Sequence, residues 1–232
     1  MRPVAAGRSA DVYDLGGGRI LRRYHDRARS AEREARTISW AGAHGVPVPE
    51  VFDVAGPDIV MEKVDGPTML ADLARRPWRL LRHAARLARL HEQVHRVPAV
   101  DGLRAPFGDG QALLHLDLHP DNVLLSPRGP VLIDWEGAGR GPAEADLALC
   151  WVVVAMSTVP GSRWQRIAGR AGQRLFADAV LRHSGLTVGA AWLAEAARFR
   201  LRDPHVLPSE ADRIRRLLAK RDRPGESLRE AR

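Results

Sequence analysis

The stretch His115-Leu116-Asp117-Leu118-His119-Pro120-Asp121-Asn122-Val123-Leu124-Leu125, followed by Ile133-Asp134-Trp135-Glu136, decides how this chain is read. Two short apolar runs, Val123-Leu124-Leu125 and Val131-Leu132-Ile133, flank Ser126-Pro127-Arg128-Gly129, and that turn chemistry predicts a β-hairpin. Asp117 and Asn122 precede the hairpin, and Asp134 follows it. Asp and Asn are ordinary turn residues, but turn formation does not explain a second carboxylate at the far strand end. Aspartate and asparagine are hard oxygen donors of the kind Mg²⁺ prefers. A loop with Asp and Asn, opposite a strand end with Asp, supplies what phosphoryl transfer needs: a carboxylate for an attacking hydroxyl, and oxygen ligands for the metal.

Upstream of this stretch, residues 1–62 read as short strands around one helix. Val12–Leu15 and Arg19–Tyr24 flank Gly16-Gly17-Gly18, a strong hairpin signal. A helix is expected from about residue 28 to 43, with Ala31, Ala35, Ile38 and Ser39 on its apolar side. Val46-Pro47-Val48-Pro49 stops it, because proline lacks an amide donor and disfavours helix in the residue before it. Val51–Val54 is expected to pair with Asp58–Glu62 across Ala55-Gly56-Pro57. After Val64-Asp65-Gly66-Pro67 the pattern turns helical over 68–97, returns to short strands over 113–135, and is helical again from Ala143 onward. The expected class is α+β, with a small antiparallel-sheet lobe over 1–63 and a mostly helical lobe over 64–232.

At 232 residues with 45% hydrophobic content, the chain can bury a sizeable core and is not a disordered tract. Its longest apolar run, Leu147 to Met156, is half of what a membrane helix needs. The N-terminal residues show no apolar core of signal-peptide length, and Cys150 is the only cysteine, so a cytoplasmic location without disulfides is expected. The net charge is +8, from 36 basic and 28 acidic residues, and only Lys63 and Lys220 are lysines. The arginines are interleaved with acids, and few aromatics accompany them, which argues against nucleic-acid binding.

His115-x-Asp117-x-x-x-x-Asn122 followed by Ile133-Asp134-Trp135-Glu136 resembles the signature of the aminoglycoside phosphotransferase and choline kinase-like family, small-molecule kinases with the protein-kinase fold. Leu87-Ala88-Arg89-Leu90-His91 resembles that family's helix before the catalytic loop, and Asp146-Leu147-Ala148 its buried aspartate after it. The resemblance implies a two-lobed kinase-like fold, Mg²⁺ as cofactor, and ATP or GTP as co-substrate. It also implies transfer of the γ-phosphoryl group to a hydroxyl of a small acceptor such as an antibiotic, an amino alcohol or a sugar. Under it, Asp117 is the catalytic carboxylate, Asn122 and Asp134 bind the metal, His115 supports the loop and Asp146 braces it. The loop with Gly7 and Ser9 faces the nucleotide phosphates, and the purine edge lies near Glu62 to Val64. The family's strand lysine is missing. Arg22 stands in the best-matching place, with Glu34 as its candidate partner; it keeps the charge but has a larger, planar head.

Two other readings compete. Arg22 in place of lysine suits a kinase-shaped nucleotide-binding module with weak or no catalysis. His91-Glu92-Gln93-Val94-His95 also matches the zinc-protease helix motif, in which two histidines share a helix face and the glutamate activates a zinc-bound water. Pro98 cannot make the glycine turn some of those enzymes have. On the kinase reading His91 is packed and His95 lies at a surface or interface. If the acceptor is a polycation, Glu136, Glu144, Asp203, Glu210 and Asp212 are the carboxylates on hand to meet it.

Overall fold

The computed structural model describes residues 2–6, 9–26, 30–159 and 161–221. Strands β1 (Arg2–Ala6), β2 (Ala10–Gly16), β3 (Arg19–Tyr24), β4 (Val51–Ala55) and β5 (Asp58–Glu62) form an antiparallel sheet in the order β1-β2-β3-β5-β4. The β2–β3 turn works because Gly17 and Gly18 both take positive φ, 59° and 73°, which only glycine adopts freely and which matches strand twist. β1 lies outside the expected elements: Pro3 breaks its strand signal, and pairing with β2 is what orders it.

Helix α1 (Glu32–Ala43) packs on this sheet through Ala31, Ala35, Ile38 and Ala41. Ser39, expected on the inner face, is exposed; Glu34 and Thr37 are buried instead. A 3.6-residue period marks a stripe, and the exact register of that stripe is set by what the helix meets. In the linker after β5, Gly66 takes φ 148°, and a Cβ there would sit 2.3 Å from the Leu125 carbonyl oxygen. The linker is therefore pressed directly against the following hairpin.

Helices α2 (Met69–Arg75) and α3 (Leu80–His95) come next. The paired strands β6 (Ala112–Leu114) and β9 (Gly139–Gly141) then enclose the hairpin β7 (Val123–Ser126) and β8 (Gly129–Leu132). The remainder is helical: α4 (Ala143–Met156), α5 (Arg163–His183), α6 (Ala190–Arg200) and α7 (Pro208–Arg221). α4 is apolar on every side and is buried at each position from Ala145 to Val153, as a helix central to its lobe must be. An apolar cluster joins Tyr24, Ile38 and Ile59 of the sheet side to Leu87, Leu118 and Leu132, so sheet, α3 and hairpin share one core. A second cluster gathers Leu149, Trp151, Leu193 and Ile214 around α4, α6 and α7. No helix among the described residues is long and apolar enough to cross a membrane.

Candidate active site

The β7–β8 hairpin fixes the separation of the motif's two halves. Its register pairs Val123 with Leu132 and Ser126 with Gly129, so Asn122 and Ile133 leave the hairpin side by side. The Ile133 amide donates to the Asn122 carbonyl at 3.1 Å. Asn122 in turn spends its Nδ2 on Asp117, donating to the backbone carbonyl at 2.8 Å and to carboxylate Oδ2 at 3.0 Å. Its Oδ1 is thereby left as the side-chain donor for a cation.

Leu116, at φ 63°, and Asp134, at φ 66°, are the non-glycine residues with positive φ among the described residues. That conformation costs an L-residue roughly 1–2 kcal/mol and persists only where its surroundings impose it. Asp146, from α4, does so for Leu116: Oδ1 accepts the Leu116 amide at 2.8 Å and Oδ2 the His115 amide at 3.3 Å. Oδ2 also meets His95 Nε2 at 2.9 Å and His91 Nδ1 at 3.4 Å. Burial alone would raise the Asp146 carboxyl, but the His91 and His95 imidazoles set against it prevail and hold it well below the usual carboxylate range. His115 is buried, lies with its ring centroid 4.6 Å from that of Trp135 in a tilted contact, and has Nε2 at 3.2 Å from the Ile133 carbonyl. It ties the Asp117 loop to the segment carrying Asp134. Burial lowers the His115 imidazole, favouring the neutral ring.

Arg22 reaches the same place from β3. Its Nη1 bonds Glu34 Oε1 at 2.9 Å, while Nη2 bonds Asp134 Oδ1 at 2.9 Å and Glu136 Oε2 at 3.1 Å. Ser9 Oγ donates to Glu136 Oε2, and Tyr24 OH to Glu34 Oε2. Burial pushes the Glu34 carboxyl up against the opposing pull of Arg22. The carboxylates of Asp117 and Asp134 are 37% and 41% exposed, open enough to meet a ligand. Burial acts to raise the Asp117 carboxyl, yet the hydrogen bond from His119, whose Nε2 lies 3.5 Å from Oδ1, leaves it below the ordinary value.

Arg22 thus joins Glu34, Asp134 and Glu136 in one connected set, to which Glu136 adds Ser9, and Asp117 and Asn122 form a second, joined to it by the Ile133–Asn122 bond. His115 and Asp146 stand behind both. Glu62 and Val64 are not part of this set. The Glu62 carboxylate accepts from Arg128 at 2.6 Å and from the Glu50 amide, and Val64 is half-buried in the linker. Gly7 lies outside the described residues. Lys63 turns away to Asp14, with Nζ 2.8 Å from Oδ2. Glu136 and His119, which carry no assigned role in the motif, join this network, and their nearness in sequence to Asp134 and Asp117 is the signal that marks them.

Of the two places expected for His95, a surface or an interface, the structure gives the interface: only 7% of its side chain is accessible, and it meets Asp146 of α4. Among the described residues, His91, His95 and Asp146 are the group whose ligand atoms, all within 4.8 Å of one another, could hold a metal. A zinc protease also needs the motif's glutamate at that centre. Glu92 instead is half exposed and bonded to Arg96 at 2.5 Å, and Asp146 is already committed to the loop amides. The cluster works as a brace, and the protease reading falls.

A sequence profile of the phosphotransferase enzyme family matches residues 1–110 and 101–195 of this chain. The chain belongs to that family. Thiamine kinase of Salmonella paratyphi B is 51% identical over 41 residues, a stretch that is 18% of this chain and 15% of that enzyme. The match therefore spans under a sixth of the curated relatives' length. An ADP-bound aminoglycoside phosphotransferase superposes with TM-score 0.62 at 10% identity, covering 94% of this chain and 91% of its own. An amicoumacin kinase bound to AMP-PNP and Ca²⁺ gives 0.59 at 16%, covering 94% and 87%. A choline/ethanolamine kinase family protein of Mesorhizobium loti gives 0.59 at 16%, with the same coverage of 94% and 87%. The fold of this family member is accordingly the two-lobed, protein-kinase-like one, α+β.

Proposed function

We propose that the protein transfers the γ-phosphoryl group of ATP or GTP to a hydroxyl of a small molecule, with the nucleotide lying between a lobe of residues 1–63 and one of residues 64–232. The observation that carries this reading is the pairing of Asp117 with Asn122 on one loop, hydrogen-bonded across the hairpin to the segment that presents Asp134. Asn122 Oδ1 and the half-exposed Asp134 carboxylate form a hard-oxygen donor set that fits Mg²⁺. Bound there, the metal would neutralise charge on the phosphoryl oxygens. Asp117, kept ionised beside His119, orients the acceptor hydroxyl toward the γ-phosphorus. Arg22 keeps a positive charge beside the phosphates while Glu34 fixes its direction.

The acceptor is best read as neutral or singly charged rather than polycationic. Of the five carboxylates on hand for a polycation, Glu136 is bonded to Arg22, Asp203 and Glu210 to Arg200, and Asp212 to Arg215, which leaves Glu144 as the one of the five without an ion pair among the described residues. An alcohol such as the one thiamine carries, an amino alcohol or a sugar fits that balance better than an aminoglycoside does. Mg²⁺-dependent release of ADP or GDP, screened over such alcohols and over hydroxylated antibiotics, is the test. Asp117→Ala should retain nucleotide binding and lose on the order of 10²–10⁴-fold in turnover, the worth of a positioned base. Undiminished turnover in that variant would remove the role given to Asp117.

The rival reading, a nucleotide-binding module with little catalysis, draws on the direct Arg22–Asp134 ion pair, which sets a guanidinium against the proposed metal carboxylate. It requires thermal stabilisation by nucleotide without ADP formation on any acceptor.

A further inference from the structure

Away from the active site, α2, the turn after it and α3 wall a cavity of about 350 Å³. Four arginines line it, Arg76, Arg79, Arg82 and Arg86, against one carboxylate, that of Asp72. Arg82 and Arg86, four residues apart, share one face of α3, and Arg79 stands at the start of that helix. Asp72 is buried and already divided: it holds Arg76 at 2.5 Å, Arg79 at 3.2 Å and His83 Nε2 at 2.9 Å. Among the described residues no carboxylate is paired with Arg82 or Arg86. Partial burial, together with the charges of Arg82, Arg79 and Arg89, holds the Arg86 guanidinium below the ordinary arginine range. His83 lines the same cavity, is 2% exposed, and its Nδ1 has no hydrogen-bond partner.

Like charges gathered in a concavity of ligand size oppose folding, and a bound anion relieves that opposition. Guanidinium groups meet phosphate oxygens two at a time, so a set of arginines suits a phosphorylated ligand better than a lone halide or carboxylate. We propose that this cavity binds a small polyanion carrying two or more phosphoryl groups, at a site separate from the catalytic one. Pro67 of the linker and Leu125 of β7 complete the wall. The ligand would thus touch both the linker and the hairpin that presents Asn122.

Inorganic tripolyphosphate, titrated calorimetrically into the full chain without Mg²⁺, is the probe. Saturable binding should survive Arg22→Gln and weaken at least about tenfold in Arg82→Gln/Arg86→Gln, which removes two charge-assisted contacts. Arg82→Gln alone, at an exposed position, should also weaken binding and serves if the double variant melts early. Loss of binding in Arg22→Gln with none in the arginine-pair variant would place the anion in the active site and overturn the proposal. So would the lack of any saturable binding, or binding of a single-stranded oligonucleotide where tripolyphosphate does not bind.

Discussion

Arg22 shows how one side chain takes over a task with different geometry. A lysine ammonium is a compact point charge, whereas the Arg22 guanidinium reaches Glu34 through one nitrogen and Asp134 and Glu136 through the other. It therefore clamps α1, β3 and the Asp134 segment at once. Glu34 is 3% exposed, so removing its partner strands a buried carboxylate. Arg22→Ala should cost about 3 kcal/mol of stability, as broken buried ion pairs do, and weaken ATP binding. Arg22→Lys should restore part of the stability but not the simultaneous contacts. Urea melts and nucleotide titrations read both effects; an Arg22→Ala protein as stable as the parent would show that the buried pair contributes nothing.

At the scale of elements, α4 positions the loop it packs under. Asp146 is the charged residue on the buried face of that apolar helix, and it accepts two loop amides while facing two histidines. An asparagine has one oxygen where Asp146 has two, so in either orientation its NH₂ would face one of the two loop amides, of His115 or Leu116, donor to donor. Asp146→Asn should therefore destabilise by about 3 kcal/mol, the scale for one partner lost from a buried charged network. It should also lower kcat more than it raises the KM for nucleotide, since the Asp117 loop is displaced while Arg22 and Glu34 stay. Equal kcat with a raised KM would contradict the bracing role.

The whole molecule responds to acid through its buried imidazoles. Burial lowers His91 and His115 below their ordinary value of 6.5, so the unfolded chain binds more protons than the folded one as pH falls through that value. Stability rises with pH wherever the unfolded state holds the extra protons. The contribution is fully present above 6.5 and is lost below it. Asp117 and Asp146, both lowered, add stability that persists until the pH drops under their ordinary 3.8. The melting temperature should therefore decline between pH 7 and pH 5, before the carboxylates titrate; a flat profile across that interval would show that the two rings are not held neutral.

Local signals determined much of this protein. Glycines at the β2–β3 turn, the Ser126–Gly129 turn, the prolines after α1 and the Ala55-Gly56-Pro57 turn between β4 and β5 each act within a few residues, so their elements are legible from the chain alone. The motif residues Asp117, Asn122 and Asp134 are legible for the same reason, since one hairpin fixes their spacing. What only the tertiary structure decided are the contacts between distant parts of the chain. Ser9 with Glu136, Arg22 with Asp134 and His95 with Asp146 join residues far apart in sequence. The burial of Glu34 and Asp72 belongs with them: a charged side chain reads as surface until a partner makes its desolvation tolerable, and nothing local announces that partner.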